Sequence, residues 1–554
     1  MEKVNIFALG GQDENGKNCF VLDYNDNLYV VNTGVKIPIN SNNGVDTLIP
    51  DFTFLEKNKK KIQGIFISDI RNESFSALPW LVMKVPGVKI YTSFLNKQII
   101  QERLSKYNIK PNSYEIISLS ERIKLGEIYI QPIALPGCAP GNLGFDFITP
   151  NGDYVFMFNY VEGDLGIFGR TWFLHLPKLF NKRKINALIT DAGNSRYTGR
   201  AIEKLFLPNS VEKMFQRTSQ QNKIIIGGYS EDMVSMQQII ELAVKYNRPI
   251  IPYGKAYADL LFLVNQIQEK LDTKFKFPEI LDYKQVHKVH NAVVLVTGAI
   301  NRLYTRFIRI VNNEDVYLKI TKEDAVIVIA PSVNGLESLA AITLDEIAKI
   351  TPNLIDISDN EYFYCRPTRE DVYNLTKYLK PTILLPVQGL YRYLVDLANY
   401  IKEDKILAKE VNPVILQNGK IAHFANGKLV SQNGKIKDVG DVIIDGFGVG
   451  DISSEVLAER EILGREGVII INSMYSPKTK QIIGKLNINY VGVIDPQDQP
   501  YIDALIKEII ADVMLTKTFL TMREFNEKVR KTIRKRIFKI TDKDPMVAFT
   551  LTTI

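Results

Sequence analysis

The chain has 554 residues, 45% of them hydrophobic, which is enough for several packed cores and, by length, for roughly three or four units. Its hydrophobic runs, such as AVIVIA at 325–330 and GVIII at 467–471, are far shorter than the ~18 apolar residues of a membrane span, so the pattern excludes a bilayer-crossing helix. A net charge of +7 is compatible with an anionic partner without selecting one.

The opening MEKVNIFALGGQDENGKN passes from a very short apolar stretch into Gly and polar residues, without the h-region of a signal peptide, so a cytoplasmic protein is expected. Cys19, Cys138 and Cys365 are widely separated and form no CxxC pair, which argues against a disulfide framework and against a thiolate zinc site. A reducing compartment fits.

Through residue 195, short β-branched runs alternate with Gly, Pro and Asn: NLYVVNTG, IQGIFIS, VKIYTS, IYIQPIALPG, YVFMFNY and INALITDAG. One amphipathic helix, from Phe94 to Tyr107, interrupts them, and the whole predicts an α/β sandwich. From 196 to 352 helices alternate with buried strands (DMVSMQQIIELAVKYN, RPIIPYG, AVVLVTG, AVIVIAPS), as in an inserted α/β unit with a parallel sheet. Residues 353–440 resume the first style. A helix there opens on Thr368-Arg-Glu-Asp371, a start resembling a capping box, and runs into the strand TILLPVQG. A last unit spans 441–554, after the β-rich VILQNGKIAHFANGKLV and beginning with the Gly-rich VIIDGFGVGD.

Several segments form one ordered pattern. They are Leu9-Gly10-Gly11 with Glu14, Gly16, Lys17 and Asn18; Gly34 and Pro38; Gly44-Val45-Asp46; and Ile49-Pro50-Asp51. NALITDAGN, with Asp191 and then Asn194, and VKYNRPIIPYGK continue it, as do VIIDGFGVGD, GVIII and Lys543-Asp544-Pro545-Met546. Read in order, these segments resemble the ribonuclease J family. The resemblance implies a metallo-β-lactamase αββα sandwich over 1–195 and 353–440, an inserted β-CASP α/β domain over 196–352, and a small α+β C-terminal domain.

In that family, two zinc or manganese ions held by imidazoles and carboxylates clamp the attacking and leaving oxygens of the phosphodiester. The family's His-x-His-x-Asp-His loop falls on Asp69, Arg71, Glu73 and Ser74, framed by GIFIS before and Ala77-Leu78-Pro79 after. The next ligand position falls on Gly137 and the bridging aspartate on Asn159, while two later histidines fall on Arg366 and Gln388. The four histidines present, His175, His287, His290 and His423, lie elsewhere. The expectation is no metal, no cofactor and no catalytic residue, with Asp69, Glu73 and Asp191 as carboxylates near the old centre.

Arg71 and Arg366 admit two readings: guanidinium ligands for an RNA phosphate, or partners of Asp69 and Glu73 that fill an emptied cavity. The family's Gly-Ser-Gln-Gly-Glu-Pro phosphate turn is replaced by Thr297-Gly-Ala-Ile-Asn-Arg302, which puts specific handling of an RNA 5′ end in doubt. The densest basic segment carries Lys528, Arg530, Lys531, Arg534, Lys535, Arg536 and Lys539, with Val529, Ile533 and Ile537 at helical spacing. Arg530, Lys531, Arg534 and Lys535 are therefore candidate contacts for RNA or an acidic protein, against the plain reading of a solvated face. The resemblance implies a non-catalytic subunit in RNA decay and maturation, partnered by RNA and an active ribonuclease J paralogue in a homo- or hetero-oligomer. An active nuclease with an unorthodox centre and a stand-alone RNA-binding protein are the alternatives.

Overall fold

Runs of Val, Ile, Phe and Tyr build two facing sheets in the computed structural model, which describes residues 2–37, 47–267, 276–332, 336–357, 361–362, 365–445, 448–449, 454–479, 481–515 and 521–553. Pro38, Gly44, Val45 and Asp46 of the opening pattern, and Gly446, Phe447, Gly450 and Asp451 of VIIDGFGVGD, lie outside the described residues.

The first sheet has eight strands, running from Lys428–Ser431 and Ile421–Ala425 through Lys3–Gly10, Cys19–Tyr24, Asn27–Val31, Ile62–Phe66 and Val88–Thr92 to Tyr114–Ser118. The second has seven, from Asn412–Pro413 through Ile383–Val387, Ile185–Asp191, Gly152–Met157, Asn142–Thr149 and Ile128–Leu135 to Ile123–Leu125. Residues beyond 353 thus return to both sheets, as the resumed strand pattern predicts. Side chains of the facing surfaces form one core in which Phe66 and Phe147 meet edge to face, with centroids 5.3 Å apart. Burying each such ring stabilises by about 1.5–3 kcal/mol.

Val372, Leu375, Leu394 and Leu397 of the helices Arg369–Leu379 and Tyr391–Glu403 cover the outer face of the second sheet. The first of these helices starts on the expected capping box: the Thr368 hydroxyl and the Asp371 carboxylate each accept from the other's backbone N–H. The helix read as 94–107 spans Phe94–Lys106, with Ser93 capping its first turn.

The inserted unit carries a five-stranded sheet, ordered Ile250–Tyr253, Val293–Gly298, Ile224–Tyr229, Ala325–Val328 and Leu354–Asp356, with every pair parallel. Its first four strands are buried on both faces, which is why they read as continuous apolar runs, whereas the short edge strand Leu354–Asp356 is partly exposed. The fifth strand ends at Asp356, just beyond the boundary read at 352.

Residues 443–554 belong to a separate compact unit. Val468–Ser476 there pairs antiparallel with Gln481–Val491 and parallel with Met546–Thr553. A parallel return needs a crossover, and the helices Gln499–Leu515 and Met522–Thr541 supply it. Among the described residues, no helix is long and apolar enough to cross a membrane, and all three cysteines are buried and unbridged.

Candidate functional site

The loop that would carry the metal ligands follows the strand Ile62–Phe66 and turns through the short helix Asn72–Phe75. A close backbone approach fixes it: a Cβ at Gly34 would overlap the Glu73 carbonyl, so only glycine fits there. Asp69 is fully buried. Its carboxylate accepts from the Ser68 hydroxyl (2.7 Å), the Arg71 backbone N–H (3.0 Å) and the Asn159 amide (3.2 Å). Burial pushes the Asp69 carboxyl up, and these donors pull the other way. The Asn159 amide also reaches the Ser74 hydroxyl at 3.4 Å. Gly137 donates its N–H to the Phe168 carbonyl at 3.1 Å, and a side chain there would overlap Asn142.

Arg71 donates from Nε to Glu73 at 3.0 Å. Arg366 makes a fork on Asp191, with Nε to Oδ2 at 2.9 Å and an Nη to Oδ1 at 2.7 Å, and the same Nη reaches the Gln388 carbonyl at 2.6 Å. The guanidinium therefore ties the end of Ile185–Asp191 to the turn after Ile383–Val387. Gly193 makes room for it, since a Cβ there would overlap the guanidinium. Gln388 has a left-handed backbone (φ +58) and donates its N–H to Gly11 at 2.8 Å.

The partner assignment read from sequence needs correcting. Arg71 does take Glu73, but Arg366 takes Asp191, and Asp69 is satisfied by two neutral side chains and a backbone N–H. The reason is topological, because Arg366 re-enters the fold beside the strand ending in Asp191. Burial pushes the Glu73 carboxyl up, yet Arg71 and Arg366 beside it outweigh burial and hold it below the usual carboxylate range. Burial likewise works against charge on Arg366, and Asp191 and Glu73 overcome it. The sequence offers Arg71 and Arg366 as phosphate ligands; in the structure each guanidinium binds a carboxylate. A two-metal centre needs neutral imidazoles and carboxylates open to the ions. Among the described residues no group of three or more His, Cys, Asp or Glu side chains is placed to hold a metal.

Beside this network lies a cavity of about 300 Å³, lined in part by Tyr197, Tyr229, Tyr362 and Tyr393 together with Glu231 and Asp232. The Glu231 carboxylate accepts from the Asn72 amide, and the Met233 N–H donates to the Cys138 carbonyl at 3.2 Å, so the inserted unit is joined to the ligand loop. Asp232 caps the helix Met233–Lys245 and also accepts from the Tyr362 hydroxyl at 2.8 Å. The sequence reading missed Glu231 and Asp232. Their only signal is an acidic pair directly after a buried strand and before a helix.

The histidines set aside in the sequence do not approach this site. His175, His287 and His290 are exposed, and His423 is held by Asn5 and the Asn433 carbonyl. Thr297–Arg302 forms the turn between the strand Val293–Gly298 and the helix Ile300–Val311.

In the last unit the helix Met522–Thr541 buries Phe525, Val529, Ile533 and Ile537 as its spacing predicts. Two of the four RNA candidates on it are used internally. Arg530 donates to the Phe549 carbonyl at 3.1 Å, and Arg534 forms a fork on Asp544 at 2.8 and 2.5 Å. Lys531 and Lys535 are exposed.

The domain family described as "Ribonuclease J, beta-CASP domain" matches residues 221–347, and "Ribonuclease J C-terminal domain" matches 455–554. An uncharacterized protein of Mycoplasma genitalium is 28% identical, with all of both chains covered. Proteins named Ribonuclease J 2 of Streptococcus pyogenes and Ribonuclease J2 of Bacillus subtilis are each 23% identical, covering 99% of this chain and 99% and 98% of their own length. A crystal structure of an Enterococcus faecalis protein of unknown function is similar in fold. Its TM-score is 0.52 at 14% identity, over 76% of this chain and 100% of that one.

Proposed function

Because the chain belongs to the ribonuclease J family, with a metallo-β-lactamase-like fold, we propose that it is a non-catalytic subunit of RNA decay and maturation that binds RNA and an active ribonuclease J paralogue. The Arg366–Asp191 fork is the observation that carries this reading. A bidentate guanidinium spans both oxygens of Asp191, and a fixed cation there repels a divalent ion.

The donor set does not fit the two ions the family uses. The positions of its histidines hold Asp69, Arg71, Ser74, Gly137, Arg366 and Gln388, and the remaining carboxylates already have donors. No step of hydrolysis is therefore derived through a metal here. What these side chains do instead is hold the loop, the two strand ends and the return from the inserted unit together by charge-assisted hydrogen bonds, keeping the framework of a nuclease without its acid, base or Lewis acid.

The test has two arms. Purified full-length chain is incubated with 5′-monophosphorylated RNA and manganese or zinc, and no cleavage is expected. Cleavage lost on Asp69→Asn, Glu73→Gln or Asp191→Asn would establish an active enzyme with an unorthodox centre. Affinity purification from native cells is then expected to return RNA and an intact ribonuclease J. Recovery of RNA without any nuclease would favour a stand-alone RNA-binding protein.

A further inference from the structure

The helix Met522–Thr541 has two unlike flanks. Phe525, Val529, Ile533 and Ile537 line the buried one at four-residue steps. On the other, Lys528, Lys531, Lys535 and Lys539 follow at steps of three, four and four, which places them on one face over about 16 Å of axis. From Lys528 to Thr541 the helix contains no Asp or Glu. Lys531, Lys535, Arg536 and Lys539 are exposed and have no ion-pair or side-chain hydrogen-bond partner among the described residues. Phe538, 50% exposed, sits on the same face one turn beyond Lys535 and two beyond Lys531.

Three exposed ammonium groups, those of Lys531, Lys535 and Lys539, without a carboxylate partner among the described residues and beside an exposed aromatic ring, match single-stranded nucleic acid. Lysines follow the phosphates without reading sequence, and a ring stacks on any base. Arg530 and Arg534 are turned to Phe549 and Asp544, and Arg536, one residue beyond Lys535, does not share the lysine face. What remains is point charge suited to tracking a backbone. We infer that this helix is the RNA-contacting surface of the chain, with Lys531, Lys535 and Lys539 along the phosphates of a single strand and Phe538 stacked on a base. The inference rests on the reading of the chain as an RNA-binding member of its family.

The experiment measures binding of full-length protein to an oligouridylate labelled at its 3′ end, by fluorescence anisotropy across a potassium chloride series. For the combined Lys531→Gln, Lys535→Gln, Lys539→Gln variant, the slope of log K against log salt is expected to flatten by about two, at ~0.7 per phosphate contact. The corresponding triple Lys→Arg variant keeps the slope. Phe538→Ala weakens binding by about 5- to 100-fold with little change in slope. Thermal melts by circular dichroism confirm that each variant is folded. If wild-type protein binds and the triple Gln variant keeps the wild-type slope, the helix assignment is overturned while RNA binding stands. If wild-type protein binds no RNA, both fall. If the triple variant loses an acidic protein partner in a pull-down while RNA binding is unchanged, the face is a protein interface and the assignment is overturned.

Discussion

Arg71 and Arg366 and the lysines of the helix Met522–Thr541 carry the same charge in opposite surroundings. Arg71 and Arg366 are 8% exposed, and each is tied to a carboxylate. Lys531, Lys535 and Lys539 stand in solvent with none among the described residues. Burial makes the difference, because a guanidinium taken out of water costs several kcal/mol unless an anion and further acceptors surround it, whereas a hydrated ammonium needs no partner. A cationic residue lining a cavity is thus no sign of an anionic ligand until its partners are known. In this chain the buried cations hold structure, and the exposed ones are those available to a polyanion.

The largest test of that contrast is Arg366→Met, which leaves Asp191 buried without its counter-charge. It is expected to cost about 3–5 kcal/mol in urea unfolding, and Arg366→Lys less, since charge survives but the fork does not. A near-neutral Arg366→Met would break the distinction between the two groups of cations. Next is acid stability. Glu73 is held low in the folded chain, so its contribution is full above the ordinary carboxylate range and is lost as pH falls through the lowered value. Glu73→Gln should therefore flatten part of the acid limb of a stability-versus-pH curve, and an unchanged limb would remove Glu73 from the network.

Arg534→Ala comes third. Its pair with Asp544 is about half exposed, so the expected loss is at most about 1 kcal/mol. The triple Lys→Gln variant should change stability by less than ~0.5 kcal/mol; a larger loss would show that the lysines are structural. Smallest of all, added manganese or zinc should leave the melting temperature unmoved, where a retained site at a hundredfold excess over its Kd would add about 2.7 kcal/mol.

Much of this was legible in the residues because local spacing encodes it. The capping box at Thr368 and the buried stripe of Val529, Ile533 and Ile537 follow from turn chemistry and periodicity, while the strand end at Asp191 comes from the resemblance to the ribonuclease J pattern. The loss of imidazole at positions 69, 71 and 74 could be read because fixed strand and Leu-Pro frames bracket that loop. What could not be read is who meets whom across the chain. Arg366 lies 175 residues from Asp191, and Asn72 lies 159 from Glu231, so topology rather than spacing decides those contacts. The inward turn of Arg530 and Arg534 was hidden for another reason: a helical wheel fixes where Cα points, while a long flexible side chain can still bend back to Phe549 or Asp544.

The fork of Arg366 on Asp191 also has a consequence for redesign. A metal centre on the ribonuclease J ligand pattern could not be installed here one residue at a time. Histidine placed at 366 alone would leave Arg71 where it is and Asp191 without its partner, so the first change would lower stability before any ion could be held. The substitutions would have to be made together, because each one alone strands a buried charge that its present partner neutralises.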